Sequence, residues 1–147
     1  MPVLCREEGS MDKRGVITFL DYKVNSIEFK NNDDYDGEEV DIDFNVSARY
    51  HVSDDAKEMI VVLITNIFEP REGKVYPFRM SVEIEGYFKS NFEDKEQDIG
   101  QYGKNAVAIL FPYVRALVST FTANANVAPL ILPTVNVNKL LDKEKQD

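Results

Sequence analysis

The most constraining feature of this sequence is a strict alternation of apolar and polar residues between Val40 and Val52. Its apolar members are the even-numbered residues Val40, Ile42, Phe44, Val46, Ala48, Tyr50 and Val52. A period of two sustained this long predicts a β-strand with one face in a core and the other in water. The single histidine, His51, falls on the wet face, so we expect it to be a solvated surface residue.

Three further segments have the pattern of strands, namely residues 16–29, 57–68 and 75–88. In the first, the apolar residues move from even positions to the odd positions Ile27 and Phe29, which predicts a β-bulge near Asn25–Ser26. The second is apolar on both sides, as is typical of a central strand covered on both faces. The third alternates again and carries Pro77, which cannot donate a ladder hydrogen bond.

The pattern becomes helical between Lys104 and Ala123, where apolar residues recur every three or four positions. Pro112 lies inside this segment, although proline costs about 3 kcal/mol in a helix interior. An apolar loop with two prolines follows, and residues 136–147 predict a short, charged helix. Strands followed by helices predict an α+β fold, with a four-stranded antiparallel sheet and two C-terminal helices.

The length of 147 residues favours a single domain. We expect a flexible arm at residues 1–14, one domain at residues 15–143 and a frayed tail at residues 144–147. The formal net charge of -9 argues against a nucleic-acid partner, because phosphate binding needs clustered cations. No stretch reaches the roughly 18 apolar residues of a membrane span, and the N-terminus lacks a signal-peptide core. These features predict a cytoplasmic protein without membrane insertion.

Residues that usually carry catalysis or bind metals are scarce. Cys5 and His51 are the only cysteine and histidine, so the chain can form neither an intramolecular disulfide nor a cluster of such ligands. The acidic linker at residues 31–39 lacks the spacing of a calcium loop. Two carboxylate pairs are predicted on wet strand faces, Asp41 with Asp43 and Glu83 with Glu85. Without a pocket to shift their pKa values they do not indicate acid–base catalysis, so we expect neither an enzyme nor a cofactor.

Apolar surface is in excess in the C-terminal third of the chain. The helix around Pro112 is apolar in every direction, and so short a chain offers little protein to cover it, which predicts an obligate oligomer. The residues expected at the subunit contact are Ile109, Leu110, Phe111, Val114, Leu117, Val118 and Phe121. The strip from Val127 to Val135 is too apolar for a free loop. It either packs on the chain's own core or walls a groove for extended peptides, and both interpretations remain open.

Two blocks of this region resemble a known family. The segments "ILFPYVR" at residues 109–115 and "PLILPTVN" at residues 129–136 resemble the C-terminal signature of SecB, the bacterial protein-export chaperone. The second block fits when Thr134 is taken as a one-residue insertion. Upstream, Gly86 and Phe88 occupy the places of the family's glycine–aromatic strand end. Together the matching blocks span about the last third of the chain.

The resemblance implies a fold and a function. SecB-like proteins have a four-stranded antiparallel sheet and two C-terminal helices, and they assemble as dimers of dimers with the long helices between sheets. They hold unfolded precursor proteins in hydrophobic grooves and deliver them to the SecA motor, whose tail docks on an acidic sheet surface. The resemblance therefore implies unfolded polypeptide clients, SecA as a further partner, and a homo-oligomer.

The same resemblance suggests where these partners would bind. The groove candidates are Phe88, Tyr113, Val127, Pro129, Leu130, Leu132 and Pro133. The acidic docking face would be drawn, by strand parity, from Asp41, Asp43, Glu83 and Glu85. The hairpin sequence "FEPREGK" has no counterpart of the family's leucine–glycine–glutamate, and Val137 stands where the family has phenylalanine. Two alternatives therefore remain: a chaperone with a dedicated client such as an antitoxin, and an interaction protein that has lost the export role.

Overall fold

A computed structural model describes residues 16–91, 98–134, 136, 139 and 141. Four strands form one antiparallel sheet in the order β1-β4-β3-β2: β1 (Ile17–Asn31), β2 (Phe44–Val52), β3 (Glu58–Ile67) and β4 (Phe78–Ser90). A 3₁₀ turn (Ile99–Tyr102) leads into a single long helix, α1 (Gly103–Asn124). The α+β class and the four-stranded antiparallel sheet are thus confirmed.

Strand β1 contains the bulge that its change of phase predicts, because its register against β4 shifts between Val24 and Ser26. A second shift lies between Phe19 and Asp21 and is not visible in the pattern. Because of this shift, Phe19 pairs with the buried Phe88, whereas Leu20 is 51% exposed. The apolar even positions of this strand therefore do not all lie on the buried face.

Strand β2 is shorter than the alternation predicts, because it begins at Phe44 rather than at Val40. Its partner β3 ends at Ile67, and Phe68 takes a φ of 56°, which turns the chain away from the sheet. The Asp43 carbonyl still accepts from the Phe68 N–H (2.8 Å), and residues 40–42 precede the paired part of the strand although their alternation continues. The linker before them forms turns stabilised by side chains: Asn32 Oδ1 accepts from the Asp34 N–H (3.0 Å) and Asp36 Oδ1 from the Glu38 N–H (3.0 Å).

The core lies between α1 and one face of the sheet. Alternate residues of β3 and β4 point toward the helix and are buried: Met59, Val61, Leu63, Thr65, Ile67, Phe78, Met80, Val82, Ile84 and Phe88. The closest approach is at Gly86, where an added Cβ would lie 2.6 Å from Cδ2 of Leu110. Glycine at this position thus lets the helix rest directly on β4.

Strand β3 is central, as its composition predicts, with β2 on one side and β4 on the other. On the face away from α1 it carries Ile60, Val62 and Ile64, which alternate with the residues that point toward the helix. Val62 is only 5% exposed, whereas Ile60 and Ile64 are half-buried. The middle of the outer sheet face is therefore apolar and its margins are polar.

The predicted long helix is confirmed within one residue at each end. Pro112 lies inside the helix on its exposed side. Because proline has no N–H, the carbonyl of Ala108, four residues earlier and also exposed, lacks its usual helical donor. Water can hydrate that carbonyl, which makes the proline tolerable at this position. Only Asn136, Lys139 and Leu141 of the predicted second helix are described, so a second helix is not established. The predicted arm and tail, residues 1–14 and 144–147, lie outside the described residues.

The helical stretch Ile99–Asn124, 26 residues long, is by length and composition apolar enough to cross a membrane. The core helix of a soluble protein has the same properties, and α1 buries one side against the sheet. Its apolar character is therefore weak grounds for a membrane span.

Candidate functional site

Helix α1 has one side that the chain itself covers completely. Four of the residues predicted at a subunit contact are buried there, namely Leu110, Phe111, Val114 and Val118. The premise that so short a chain cannot cover the helix is wrong for this side, because β3 and β4 lie directly beneath it. The burial of these four residues therefore requires no second subunit.

A second side of α1 is only partly covered. Ile109, Tyr113, Leu117 and Phe121 follow one another at intervals of four residues and form a half-exposed stripe. The ring of Tyr113 lies 4.5 Å from that of Tyr22 and 5.6 Å from that of Phe19, and Phe121 lies 5.3 Å from Phe29, all measured between ring centroids. This stripe and the aromatic residues of the edge strand β1 together form what we call the β1 flank.

A third side of α1 holds the extended segment Val127–Pro133, here called the strap. The Leu130 N–H donates to Oγ1 of Thr122 (2.8 Å), and Oγ of Ser119 donates to the Leu130 carbonyl (3.1 Å). Further along, Nε of Arg115 donates to the Leu132 carbonyl (2.9 Å). These polar side chains are exceptions in an apolar helix, and they fix the strap to α1 without a sheet ladder.

The strap and the β1 flank lie on different sides of α1. Arg115 follows Tyr113 by two residues, and Ser119 follows Leu117 by two, which corresponds to about 200° around a helix. On the strap's side, Phe111 stacks on Phe44 of β2, with ring centroids 6.3 Å apart. The strap is therefore on the β2 side of the helix, away from β1.

The predicted groove residues are consequently divided in the single chain. Phe88 is buried beneath Phe19 (5.4 Å between ring centroids), and Tyr113, 37% exposed, shares that β1 flank. The strap contributes the other five predicted groove residues: Val127, Pro129, Leu130, Leu132 and Pro133. Leu130 and Leu132 point inward and are buried, whereas the two prolines are exposed. The sequence reasoning omitted Ile131, which at 67% exposure is the most accessible large apolar residue of the strap.

The four carboxylates predicted on one acidic face do not share a strand surface. Glu83 and Glu85 lie on the outer face of β4, as strand parity predicts. The placement of Asp41 and Asp43 on a strand is wrong, because both residues precede β2. Asp43 accepts a hydrogen bond from the Tyr76 hydroxyl (2.6 Å) and forms an ion pair with Arg71 (2.9 Å between Oδ2 and Nε).

Glu85 is also partnered within the chain. Its carboxylate accepts from the Tyr87 hydroxyl (2.7 Å) and from the Asn25 amide (3.1 Å), and it lies 3.9 Å from Nζ of Lys23. These hydrogen bonds, that of Tyr87 foremost, hold the pKa of Glu85 below its usual value. Part of the negative charge of this face is thus already compensated.

Within residues 16–91 and 98–134, and at the three described positions beyond, no group of three or more His, Cys, Asp or Glu residues is arranged to hold a metal ion. The described surfaces with unusual character are instead apolar: the β1 flank and the strap. Both are suited to contacts with other polypeptides rather than to bond chemistry.

Residues 23–147 match the model of the family described as preprotein translocase subunit SecB. The chain belongs to the SecB family. The match extends well beyond the C-terminal blocks that carry the sequence resemblance, because it includes three complete strands and most of β1.

Relatives of this SecB-family chain include an uncharacterised protein of Methanocaldococcus jannaschii, 38% identical over 125 residues, which cover 82% of this chain and 79% of the relative. This relative is archaeal, so the bacterial origin that the resemblance to SecB implies is not confirmed. Among solved structures, a SecB-like chaperone of Mycobacterium tuberculosis in complex with a ChAD peptide from the HigA1 antitoxin superimposes with a TM-score of 0.67. It is 16% identical and covers 81% of this chain and 90% of its own, so it shows a shared fold. A Streptococcus agalactiae protein of unknown function reaches a TM-score of only 0.47, at 17% identity, covering 80% of this chain and 97% of its own.

Proposed function

We propose that this SecB-family protein is a molecular chaperone that holds unfolded polypeptide segments along its strap. The observation that carries the proposal is the strap itself, an extended apolar segment attached by side chains, with Ile131 exposed between Pro129 and Pro133. Proline keeps the backbone extended and leaves no amide to pair locally. An extended client segment can lie beside such a strip and place alternate side chains against it.

Within the proposed site the strap residues have two roles. Val127, Pro129, Ile131 and Pro133 provide the accessible surface, and the buried Leu130 and Leu132 hold the strap in position. Tyr113 lies on the opposite flank, so it would join the same groove only when contributed by a second subunit, whereas Phe88 is buried beneath Phe19 and supports that flank from below.

We also propose that the protein is a homo-oligomer assembled through the β1 flank. Among the strands that the structure describes, β1 is a long strand at the edge of the sheet, and edge strands of this kind readily pair with another chain. Ile109, Leu117 and Phe121 of the predicted contact lie beside it and are half-buried, so a partner could complete their burial. A dimer of dimers is the assembly that the family resemblance implies.

A dedicated client is the second candidate function. The Mycobacterium tuberculosis chaperone of the same fold is in complex with a peptide from an antitoxin, which supports a single partner as an alternative to many clients. Delivery to SecA is a weaker proposal, because Asp43 and Glu85 of the proposed docking face already accept hydrogen bonds within the chain. A cytoplasmic location without membrane insertion accords with α1 as a core helix, and a binding role requires no catalysis or cofactor.

The test is suppression of aggregation. We expect the wild-type protein to delay the aggregation of several unrelated denatured clients at a stoichiometric ratio, and Ile131→Ser to weaken this effect. Leu20→Ser is the matched control, since Leu20 is also exposed but lies on β1, away from the strap. Protection of one client only would favour the dedicated-partner alternative, and equal loss in both variants would place the client elsewhere. If the protein protects none of the clients from aggregation, the proposed general chaperone function is wrong.

A further inference from the structure

A cavity of about 380 Å³ opens on the outer face of the sheet, away from α1. It lies across one row of cross-strand partners, since Tyr87 of β4 pairs with Ile60 of β3 and Ile60 pairs with His51 of β2. Directly paired residues of neighbouring strands point to the same side of a sheet, so all three share the outer face with Ile60. Among the described residues, none of α1 or of the 3₁₀ turn lines this cavity. The outer-face cavity is therefore separate from the strap and from the stripe on α1.

The bulge after Phe19 adds a fourth strand to the outer-face cavity. Phe19 pairs with the buried Phe88 and Asp21 pairs with Tyr87, which leaves Leu20 as the extra residue. Bulges redirect a side chain at the edge of a sheet, and here Leu20 lines the cavity while remaining 51% exposed. The bulge thus places an apolar side chain on the outer face, where the alternation of a regular strand would not put it.

The polar groups around the outer-face cavity already have partners. The Tyr87 hydroxyl donates to Glu85 (2.7 Å), and Oγ of Ser53 donates to Asp55 (2.7 Å) while accepting from the Glu58 N–H (3.0 Å). Glu58 is the only residue with a formal charge among those that line the cavity. These properties suit an uncharged, apolar segment of polypeptide.

The N-terminal segment of this chain contains such a stretch within reach. Residues 1–5, MPVLC, carry no charged side chain, whereas residues 6–14 carry six. The described chain enters the sheet where the Asn91 N–H donates to the Val16 carbonyl (2.9 Å), and Leu20 follows about 13 Å along an extended strand. A random coil of the twelve residues that separate Leu4 from Val16 spans about 19 Å. Because this length exceeds the distance to be spanned, the local concentration of the stretch at the cavity is on the order of millimolar.

We propose that Val3 and Leu4 dock in the outer-face cavity of the same chain. The two aliphatic side chains cover Leu20 and Ile60, whose apolar surface is otherwise accessible to water. A segment docked there lies beside Glu85 of β4, so it limits the access of a partner protein to that carboxylate. The contact does not depend on the proposed chaperone function, because the strap lies on the other side of the sheet.

The single cysteine, Cys5, follows Leu4 directly and allows a nitroxide to be attached to the full-length protein. Broadening of backbone amide signals by the nitroxide then reports where the N-terminal segment lies. We expect the strongest broadening at His51, Ile60 and Tyr87 and little along the strap. Broadening without a centre, or centred on the strap, would overturn the proposal. So would broadening at the cavity between molecules, in a mixture of spin-labelled protein and isotope-enriched protein without the label, because it would assign the site to a second copy.

Variants in the segment and in the cavity test the contact from both sides. Val3→Ser/Leu4→Ser should weaken docking at least about tenfold, because two aliphatic side chains lose their burial. Met11→Ser, which changes an apolar residue of the same segment outside the docking stretch, should leave the broadening unchanged. Ile60→Thr should weaken docking about fourfold, the equivalent of one buried CH₂ group. Ile64→Thr is its matched control, since Ile64 is half-buried on the same face of the same strand but does not line the cavity. Equal effects of the two isoleucine variants would contradict the assigned site.

Discussion

Helix α1 contacts the sheet through two surfaces that differ in how completely they are covered. Over β3 and β4 the contact is closed, because Gly86 lets Leu110 rest directly on the strand. Over β1 the contact is open, because aromatic rings of β1 meet Tyr113 and Phe121 at their sides and Tyr113 remains 37% exposed. Both surfaces consist of apolar residues, so hydrophobicity alone does not separate core from contact surface. The side chain on the opposing strand decides between them.

Leu110→Ala should produce the largest effect on the closed surface. Leu110 is fully buried, and its truncation leaves a cavity that typically costs about 2–5 kcal/mol of the free energy of unfolding. Leu117→Ala, on the open surface, removes the same atoms from a half-buried position and should cost less than half as much. Denaturant unfolding of both variants measures the difference, and equal losses would contradict the distinction between the two surfaces.

Thr122→Val tests the third side of the helix, where the strap is attached. The buried Thr122 hydroxyl accepts from the Leu130 N–H, and its removal leaves that donor without a partner, at a cost of about 1–3 kcal/mol. Faster hydrogen exchange of the Leu130 amide should accompany the loss of stability. Thr120→Val is the control, since Thr120 is exposed on the same helix. Unchanged exchange at Leu130 would mean that the strap does not depend on this hydrogen bond.

Ile109→Asp tests whether the open surface is completed by a second subunit. A charge at this half-buried position should weaken self-association at least about tenfold, equivalent to about 1.4 kcal/mol, with little change in the folded monomer. Sedimentation over a range of concentrations measures this, and Ala108→Asp on the exposed side of α1 provides the control. A wild-type protein that is monomeric at every concentration would contradict the proposed assembly.

Glu85→Gln should have the smallest effect and should depend on pH. Because hydrogen bonds hold the folded pKa of Glu85 below its ordinary value of 4.5, the ionised carboxylate stabilises the folded state above that pH. This contribution is lost as the pH falls through the lowered folded value. The stability difference between wild type and Glu85→Gln should therefore shrink on acidification, from less than about 1 kcal/mol at neutral pH, since solvent screens a partly exposed pair. Glu28→Gln is the control, and a difference that grows in acid would contradict the assignment.

Most of the sheet can be predicted from the alternation of apolar and polar residues along the strands. The prediction of bulges and strand ends fails where this alternation does not change. The bulge after Val24 is detectable because apolar residues change parity there. The bulge after Phe19 cannot be detected in this way, because Phe19 and Leu20 are both apolar and either could be the buried residue. Similarly, the alternation continues before Phe44, where the pairing of β2 with β3 begins. The start of β2 is set by the positive φ of Phe68, which the alternation does not reveal.

The candidate site was less predictable than the fold, since it depends on the direction in which the chain returns after α1. The residues of the predicted groove are correctly recognised as apolar, but their division between two flanks is a tertiary property. One local signal was available: Arg115, Ser119 and Thr122 are polar residues in an apolar helix, and all three bond to the strap. The aromatic residues of β1 gave no comparable signal, because they could equally belong to a closed core.

The pairing of β1 with β4 has a consequence for the order in which the molecule can form. Ile17 pairs with Ser90 and Asn31 with Phe78, so the ladder between β1 and β4 cannot form until residues 78–90 have been synthesised. Contacts between residues this distant in sequence close large loops and slow folding. Until then the apolar side of β1 is itself an exposed segment of the kind a chaperone binds. The β1 flank is thus completed late. A partly synthesised chain exposes an apolar segment like those of the clients that the folded protein is proposed to bind.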